Sequence, residues 1–391
     1  MKISTRGLRR PAIAALLCLA GCGHPAPSAS DNKATGETKP VSPIAQAREA
    51  DDVARFLAGL PGKPDSPFAE LEATADWKKH REILDAAWRG TDERLIQGLA
   101  AFQQSELNRA PFLSAPVFYP FAGPDVLTPL SFFPKSPAYV LVALEPAGTL
   151  PTLAHIQKKN LAEYLGAMRQ TMSSLLDRSF FITREMDRQF RGQVTDGLLV
   201  PILHLLVRTN HTVLGFRYVR LDDDGRLVER PANYHTTGVI GNKAVEIEYR
   251  SDADQSVHRL TYLSVNLSNT RLGIDPAFMK YARTLKGSVS MLKATSYMTH
   301  KPEFSTVRDL VLEVSTAVLE DDSGIPYQYF PPAAWKVQLF GEYERPFGAF
   351  KWMEQKDLRA AYHEPGVKPL PLKIGYGFSK INSNLLLAER K

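Results

Sequence analysis

The chain has 391 residues, 44% of them hydrophobic and 23% charged, and its formal net charge is +6. Lys2, Arg6, Arg9 and Arg10 supply four of those charges within the first ten residues; no Lys/Arg stripe with interleaved aromatics follows, so the basic balance gives no case for a nucleic-acid partner. The only two cysteines are Cys18 and Cys22, which leaves everything beyond them without a disulfide, a thiol nucleophile or a cysteine metal site.

Behind the basic start lies a short apolar run from Ala12 to Ala20, roughly half of the ~20 residues a membrane-spanning helix needs. It closes on Leu19-Ala20-Gly21-Cys22. This arrangement resembles the lipobox signal of bacterial lipoprotein precursors. The resemblance implies that residues 1–21 are a signal peptide removed on export. Cys22 then becomes the first mature residue, carrying fatty acyl chains such as palmitate that anchor the protein in a membrane. Gly23, rather than Asp, after the cysteine points to the outer membrane, with the body facing the periplasm or the surface. Residues 22–46 are rich in Ala, Pro, Ser, Thr and Lys, with almost nothing apolar to bury, and predict a disordered tether. Residues 47–391 then form a single large globular domain, or two packed lobes over 47–210 and 211–391.

Helices dominate the first half. Trp77, Leu84, Ala87 and Trp88 mark one amphipathic face, and a second helix is expected to begin near Thr91 with Asp92 and Glu93 in its first turn. A longer helix from His155 to Asp177 places Leu161, Leu165, Met168 and Met172 on one side. Gly197 to Val207 is apolar nearly all round and predicts a buried central helix, with His204 as a satisfied core histidine. From Thr212 onward strands take over. Lys243 to Arg250 alternates with period two and is followed by Val257 to Val265, as an antiparallel hairpin requires. Further strands are expected at Tyr139–Leu144, Leu214–Leu221, Ser288–Tyr297, Trp335–Tyr343 and Leu385–Glu389. A helix capped by Thr306 and Asp309 is expected to carry Val307 through Val318 among them. The fold class is α+β: a helix-rich N-terminal half followed by a mostly antiparallel sheet with a packed helix; the second half shows no regular βαβ alternation, so a Rossmann-like sheet is not expected.

Three segments could carry chemistry. Pro116 to Pro134 is dense in aromatics for a loop, and offers Phe118, Tyr119, Phe121, Phe132 and Phe133 as lining for a ligand groove with Asp125 as a polar contact. Glu145, just before Pro146, could face the same place. Glu320-Asp321-Asp322 would crowd three carboxylates into the last turn of a helix, where the dipole disfavours them. Lys293 and Tyr297 would share one face of a strand and suit buried pairing, with His300 close by. Ser290-Met291-Leu292-Lys293 matches S-x-x-K, but no K-T-G follows, so the match is set aside as chance. Asp222-Asp223-Asp224-Gly225 fits a hairpin turn better than a calcium loop. No metal-binding, nucleotide-loop or hydrolase motif is present, and no metal or cofactor is called for. Phe118 to Asp125 and Asp321 to Pro326 also resemble segments of uncharacterised bacterial envelope proteins, a likeness that implies no activity.

The expectation is therefore a lipid-anchored envelope protein that binds or scaffolds, with an envelope protein or a small molecule as partner besides the membrane. The alternative is an envelope hydrolase using Asp125, Glu145, Asp321 and Asp322 with His300 as proton carrier. The two differ in whether those groups converge on one wetted cleft.

Overall fold

In a computed structural model, residues 43–176, 196–230, 244–377 and 382–391 are described. Ten strands are present among them: β1 (Val117–Pro120), β2 (Ala138–Ala143), β3 (His211–Leu221), β4 (Leu227–Arg230), β5 (Ala244–Ser251), β6 (Val257–Ser264), β7 (Ser288–Leu292), β8 (Ser315–Glu320), β9 (Trp335–Gly341) and β10 (Asn384–Arg390). They make one mixed sheet in the order β4-β3-β5-β6-β2-β1-β7-β8-β10-β9. Residues Val41–Lys391 belong to one compact unit.

The class is α+β, with helices dense in the N-terminal half, as composition and periodicity indicate. Antiparallel pairings are the majority, five of nine, and lie at the two flanks of the sheet. The middle differs from expectation. β6, β2, β1, β7 and β8 are all parallel neighbours, and numbered by chain order their sequence across the sheet is 3-2-1-4-5. That is the doubly wound order. It escapes a linear reading because the return from β2 to β6 passes through helices Leu161–Leu176 and Leu199–Arg208 and the antiparallel strands β3 to β5.

Burial on both sides explains the parallel centre. β1 and β7 are buried at every residue and β2 at all but its first, which suits strands covered on both faces. Val117, Tyr119, Tyr139, Leu141, Val289 and Met291 point into a core shared with helices Pro43–Leu57, Ala75–Thr91, Leu161–Leu176 and Leu199–Arg208. Phe118, Val140, Val142, Leu292 and Val318 point into the opposite core, with helices Ala277–Arg283 and Ser305–Val314.

Several local expectations are corrected. Helix Ala75–Thr91 runs without a break into a π-helical stretch, Asp92–Ile96, and on into helix Gln97–Phe102. The Thr91 hydroxyl donates back to the Ala87 carbonyl at 3.0 Å instead of capping forward. The helix after His300 ends at Val314, and the β-branched run that follows is strand β8. Thr306 does not cap this helix; its amide is taken by Asn269 Oδ1 at 3.0 Å. β7 stops at Leu292, so Lys293 and Tyr297 lie in a loop. His204 is buried, yet neither ring nitrogen has a hydrogen-bond partner among the described residues. The segment 22–46 expected to be a disordered tether overlaps a helix at its far end, which begins at Pro43. Residues 1–42, including Cys22, lie outside the described residues. Among the described residues no helix is long and apolar enough to cross a membrane.

Candidate functional site

Doubly wound sheets leave a crevice where the strand order reverses, beyond the carboxyl ends of the strands. Here the reversal falls between β1, which pairs on one side with β2 and on the other with β7. A cavity of about 300 Å³ opens at that place. Its walls come from the turn after β1 (Phe121 to Gly123), from Leu144 and Glu145 after β2, from Val265 to Ser268 after β6, and from Lys293 to Ser296 after β7. Met298 and Phe304 complete the rim.

The backbone around this cavity is strained. Seven non-glycine residues among those described have positive φ, and four of them, Phe121, Ala294, Ser296 and Tyr297, sit in these two loops. Such conformations cost about 1–3 kcal/mol each and persist only where the surroundings hold them. Gly123 (φ 58°) takes the same region without that penalty. The loop after β7 is held by side chains on three successive amides. Ala294 N–H donates to Asp321 Oδ2 at 2.9 Å, Thr295 N–H to Ser323 Oγ at 2.9 Å, and Ser296 N–H to the Tyr376 hydroxyl at 3.0 Å.

Under the floor lies a buried ion pair. Lys293 Nζ is 2.5 Å from Asp125 Oδ2, and both side chains are about 95% buried. Lys293 also donates to Thr128 Oγ1 at 2.8 Å. Asp125 accepts from the Tyr119 hydroxyl (3.0 Å), Thr128 N–H (3.1 Å) and Thr128 Oγ1 (3.0 Å). Burial and the adjacent Asp125 carboxylate push the Tyr119 hydroxyl well above the usual tyrosine range, so it stays a donor.

Glu145 is different. It is 8% exposed, lines the cavity, and its carboxylate makes no hydrogen bond or ion pair with a described residue. Its own carbonyl is pinned by the Tyr262 hydroxyl at 2.6 Å, which fixes the backbone from which the side chain projects. A nearly buried carboxylate facing an open cavity has its strongest acceptor capacity left for a ligand.

The structure thus brings Asp125, Glu145, Asp321 and Asp322 to the same end of the sheet, but only Glu145 reaches the cavity wall. Glu320, Asp321 and Asp322 lie at the end of strand β8 and just beyond it, so the helix-dipole argument does not apply. Asp321 is spent on Ala294, Ser323 N–H and Ser323 Oγ. Burial, and then the neighbouring Asp322, raise its carboxyl to about 6. Asp322 accepts from the Tyr297 hydroxyl at 2.6 Å and from Asn384. The buried pairing expected of Lys293 and Tyr297 therefore exists, with a separate carboxylate for each. His300 lies edge-on to Tyr297, and burial lowers its imidazole to about 4, a poor match for a proton carrier near neutrality.

Of the aromatic candidates, Tyr119 and Phe121 line the cavity, whereas Phe118, Phe132 and Phe133 are fully buried core residues. Among the described residues no group of three His, Cys, Asp or Glu is placed to hold a metal. Asn266, Ser268 and Ser296 carried no sequence signal; only the strand order brings their loops together. Comparison with protein families, curated proteins and solved structures finds no match to this chain.

Proposed function

We propose that this is a lipid-anchored protein of the bacterial envelope whose body binds a small molecule with vicinal hydroxyls, a nucleoside above all. The anchoring half rests on the Leu19–Cys22 pattern and the basic and apolar segments before it, with Cys22 as the acylated residue and the outer membrane as the destination. Replacing Cys22 with Ser should move the protein from the membrane fraction to the soluble fraction. A Cys22→Ser protein still pelleted with membranes would count against the anchor.

The binding half rests on Glu145. In sheets of this order, an acidic residue after the second strand, about 20 residues beyond the first turn, takes ribose hydroxyls. Glu145 stands at that position relative to Gly123. The strand order supplies an analogy of fold; the unpartnered carboxylate supplies the chemical demand. Adenosine titrated calorimetrically into the chain should bind, and Glu145→Gln should weaken it tenfold or more, since charged hydrogen bonds are worth about 1.5–3 kcal/mol. Equal binding by the variant would remove the basis of this reading.

One observation favours catalysis as a second reading. Antiparallel β10 is inserted between β8 and β9. The run β6-β2-β1-β7-β8-β10-β9 thus extends the doubly wound order with one antiparallel strand inserted before the edge, an analogy of fold alone. S-adenosylmethionine would supply an electrophilic methyl group there, and Glu145 would hold its ribose. Binding of S-adenosylmethionine more tightly than adenosine would support this reading; the reverse order would oppose it.

A further inference from the structure

Dinucleotide-binding sheets of this order seat the ligand's pyrophosphate at the turn after the first strand, where glycines let the backbone approach and amide N–H groups point at the anion. In this chain the corresponding turn holds a carboxylate of its own. Asp125, 3% exposed, takes the Thr128 amide and hydroxyl on one oxygen and the Tyr119 hydroxyl and Lys293 ammonium on the other. The Thr128 amide and hydroxyl, the Tyr119 hydroxyl and the Lys293 ammonium are thereby engaged and not offered to a phosphate. The turn also carries Phe121, Ala122 and Pro124 around its single glycine, so the backbone has neither the amide at Pro124 nor the open approach that a pyrophosphate uses. The residues present do not fit a dinucleotide.

The charge of the cavity points the same way. Among the described lining residues only Glu145 and Lys293 carry a charge. The ammonium of Lys293 is matched by Asp125 at 2.5 Å, which leaves Glu145 uncompensated and the cavity net negative. A phosphate group would meet the uncompensated Glu145 carboxylate, while Lys293, the one cation among the described lining residues, is already paired with Asp125.

We infer that this site selects against phosphorylated nucleosides and accepts neutral or cationic ones, with Glu145 supplying the uncompensated charge and Asp125 holding the Lys293 charge that would otherwise offset it. This rests on the nucleoside reading above. The intrinsic ligand is then a nucleoside or a nucleoside sulfonium compound, and not a nucleotide or dinucleotide.

The test is calorimetric titration of the full chain with four probes: adenosine, S-adenosylmethionine, AMP and NAD+. Adenosine and S-adenosylmethionine are expected to bind, and AMP and NAD+ to bind at least tenfold more weakly. Asp125→Asn, which keeps the acceptor for the Thr128 amide and frees the Lys293 charge, should raise AMP affinity and narrow that gap. If this variant does not fold, salt serves in its place. Screening should strengthen AMP binding to the native chain and leave adenosine binding unchanged. AMP or NAD+ binding as tightly as adenosine would overturn the inference while leaving the nucleoside reading intact. Failure of all four probes would overturn the nucleoside reading itself and this inference with it.

Discussion

Lys293 and Asp125 are each tolerable in the interior because of the other. Breaking a buried pair by removing one partner costs about 3–5 kcal/mol, since the remaining charge is left unmatched. Lys293→Met should therefore lower unfolding free energy in urea by that amount, and the double variant Asp125→Asn/Lys293→Met should recover part of the loss. A single variant as stable as the native chain would contradict the pairing. His204 presents the opposite case, a polar group held at a cost. It lies in the apolar helix Leu199–Arg208 with neither ring nitrogen hydrogen-bonded to a described residue, and burial keeps its pKa well below the usual histidine value. Replacing it with Leu should stabilise the protein at neutral pH by about 1–3 kcal/mol, the desolvation penalty that an unsatisfied polar group carries. Urea midpoints for the two proteins measured side by side would show it.

The loop after β7 is the element on which the cavity depends. Its positive-φ residues Ala294, Ser296 and Tyr297 keep that geometry because Asp321, Ser323 and Tyr376 accept its amides. Tyr376→Phe removes the acceptor of Ser296 N–H and the donor to the Ala294 carbonyl. The expected result is a loss of about 1–3 kcal/mol in stability. Adenosine binding should weaken with it, because Ala294 and Ser296 line the cavity. Loss of stability with unchanged affinity would separate the loop from the site. The sequence points to Tyr297 and Lys293 as candidates for buried pairing but assigns them to a strand. Five residues of β7 are followed by a loop because Asp321 and Ser323, from the turn after β8, capture amides that a strand would have given to a neighbour.

For the whole molecule, the buried ionisable groups set opposed pH dependences. Burial lowers His80 and His300 to about 4 each, and holds His204 well below the ordinary histidine value. Their unfolded value is near 6.5, so below it the unfolded chain takes up protons that the folded chain refuses. That stability is present above pH 6.5 and is lost as pH falls toward the folded values. Asp321, raised to about 6, and Glu320, raised well above its ordinary value, act in the other direction. The fold holds their protons more tightly, so they favour the folded state as pH falls through about 6 toward 4. Acidification from pH 7 to 5 should destabilise the protein through the three histidines, against the gain from the two carboxyls. His204→Leu should flatten that loss, by about 1.4 kcal/mol per pH unit below 6.5. Thermal unfolding of both proteins at pH 7 and pH 5 measures it; equal losses would show that His204 takes up no proton on unfolding.

Composition and periodicity determine a good deal of this protein. They place helix Leu199–Arg208 in the core, the β5–β6 hairpin, the turn at Asp222–Gly225 and the α+β class, because burial on one face or all round leaves a local imprint of 3.6 or 2 residues. They also mark Glu145 and Asp125 as residues to watch, through a carboxylate at the end of an apolar strand and an acid in an aromatic loop. What the sequence leaves open is which carboxylate is spent on the protein and which is left for a ligand. Asp125 is matched by Lys293, far along the chain, and Asp321 by the amides after β7, while Glu145 is matched by nothing described. Those pairings follow from strand order, which is set by packing two cores against opposite faces of one sheet. No local pattern records it, because each parallel neighbour is reached through a crossover whose length and content the strand itself does not specify.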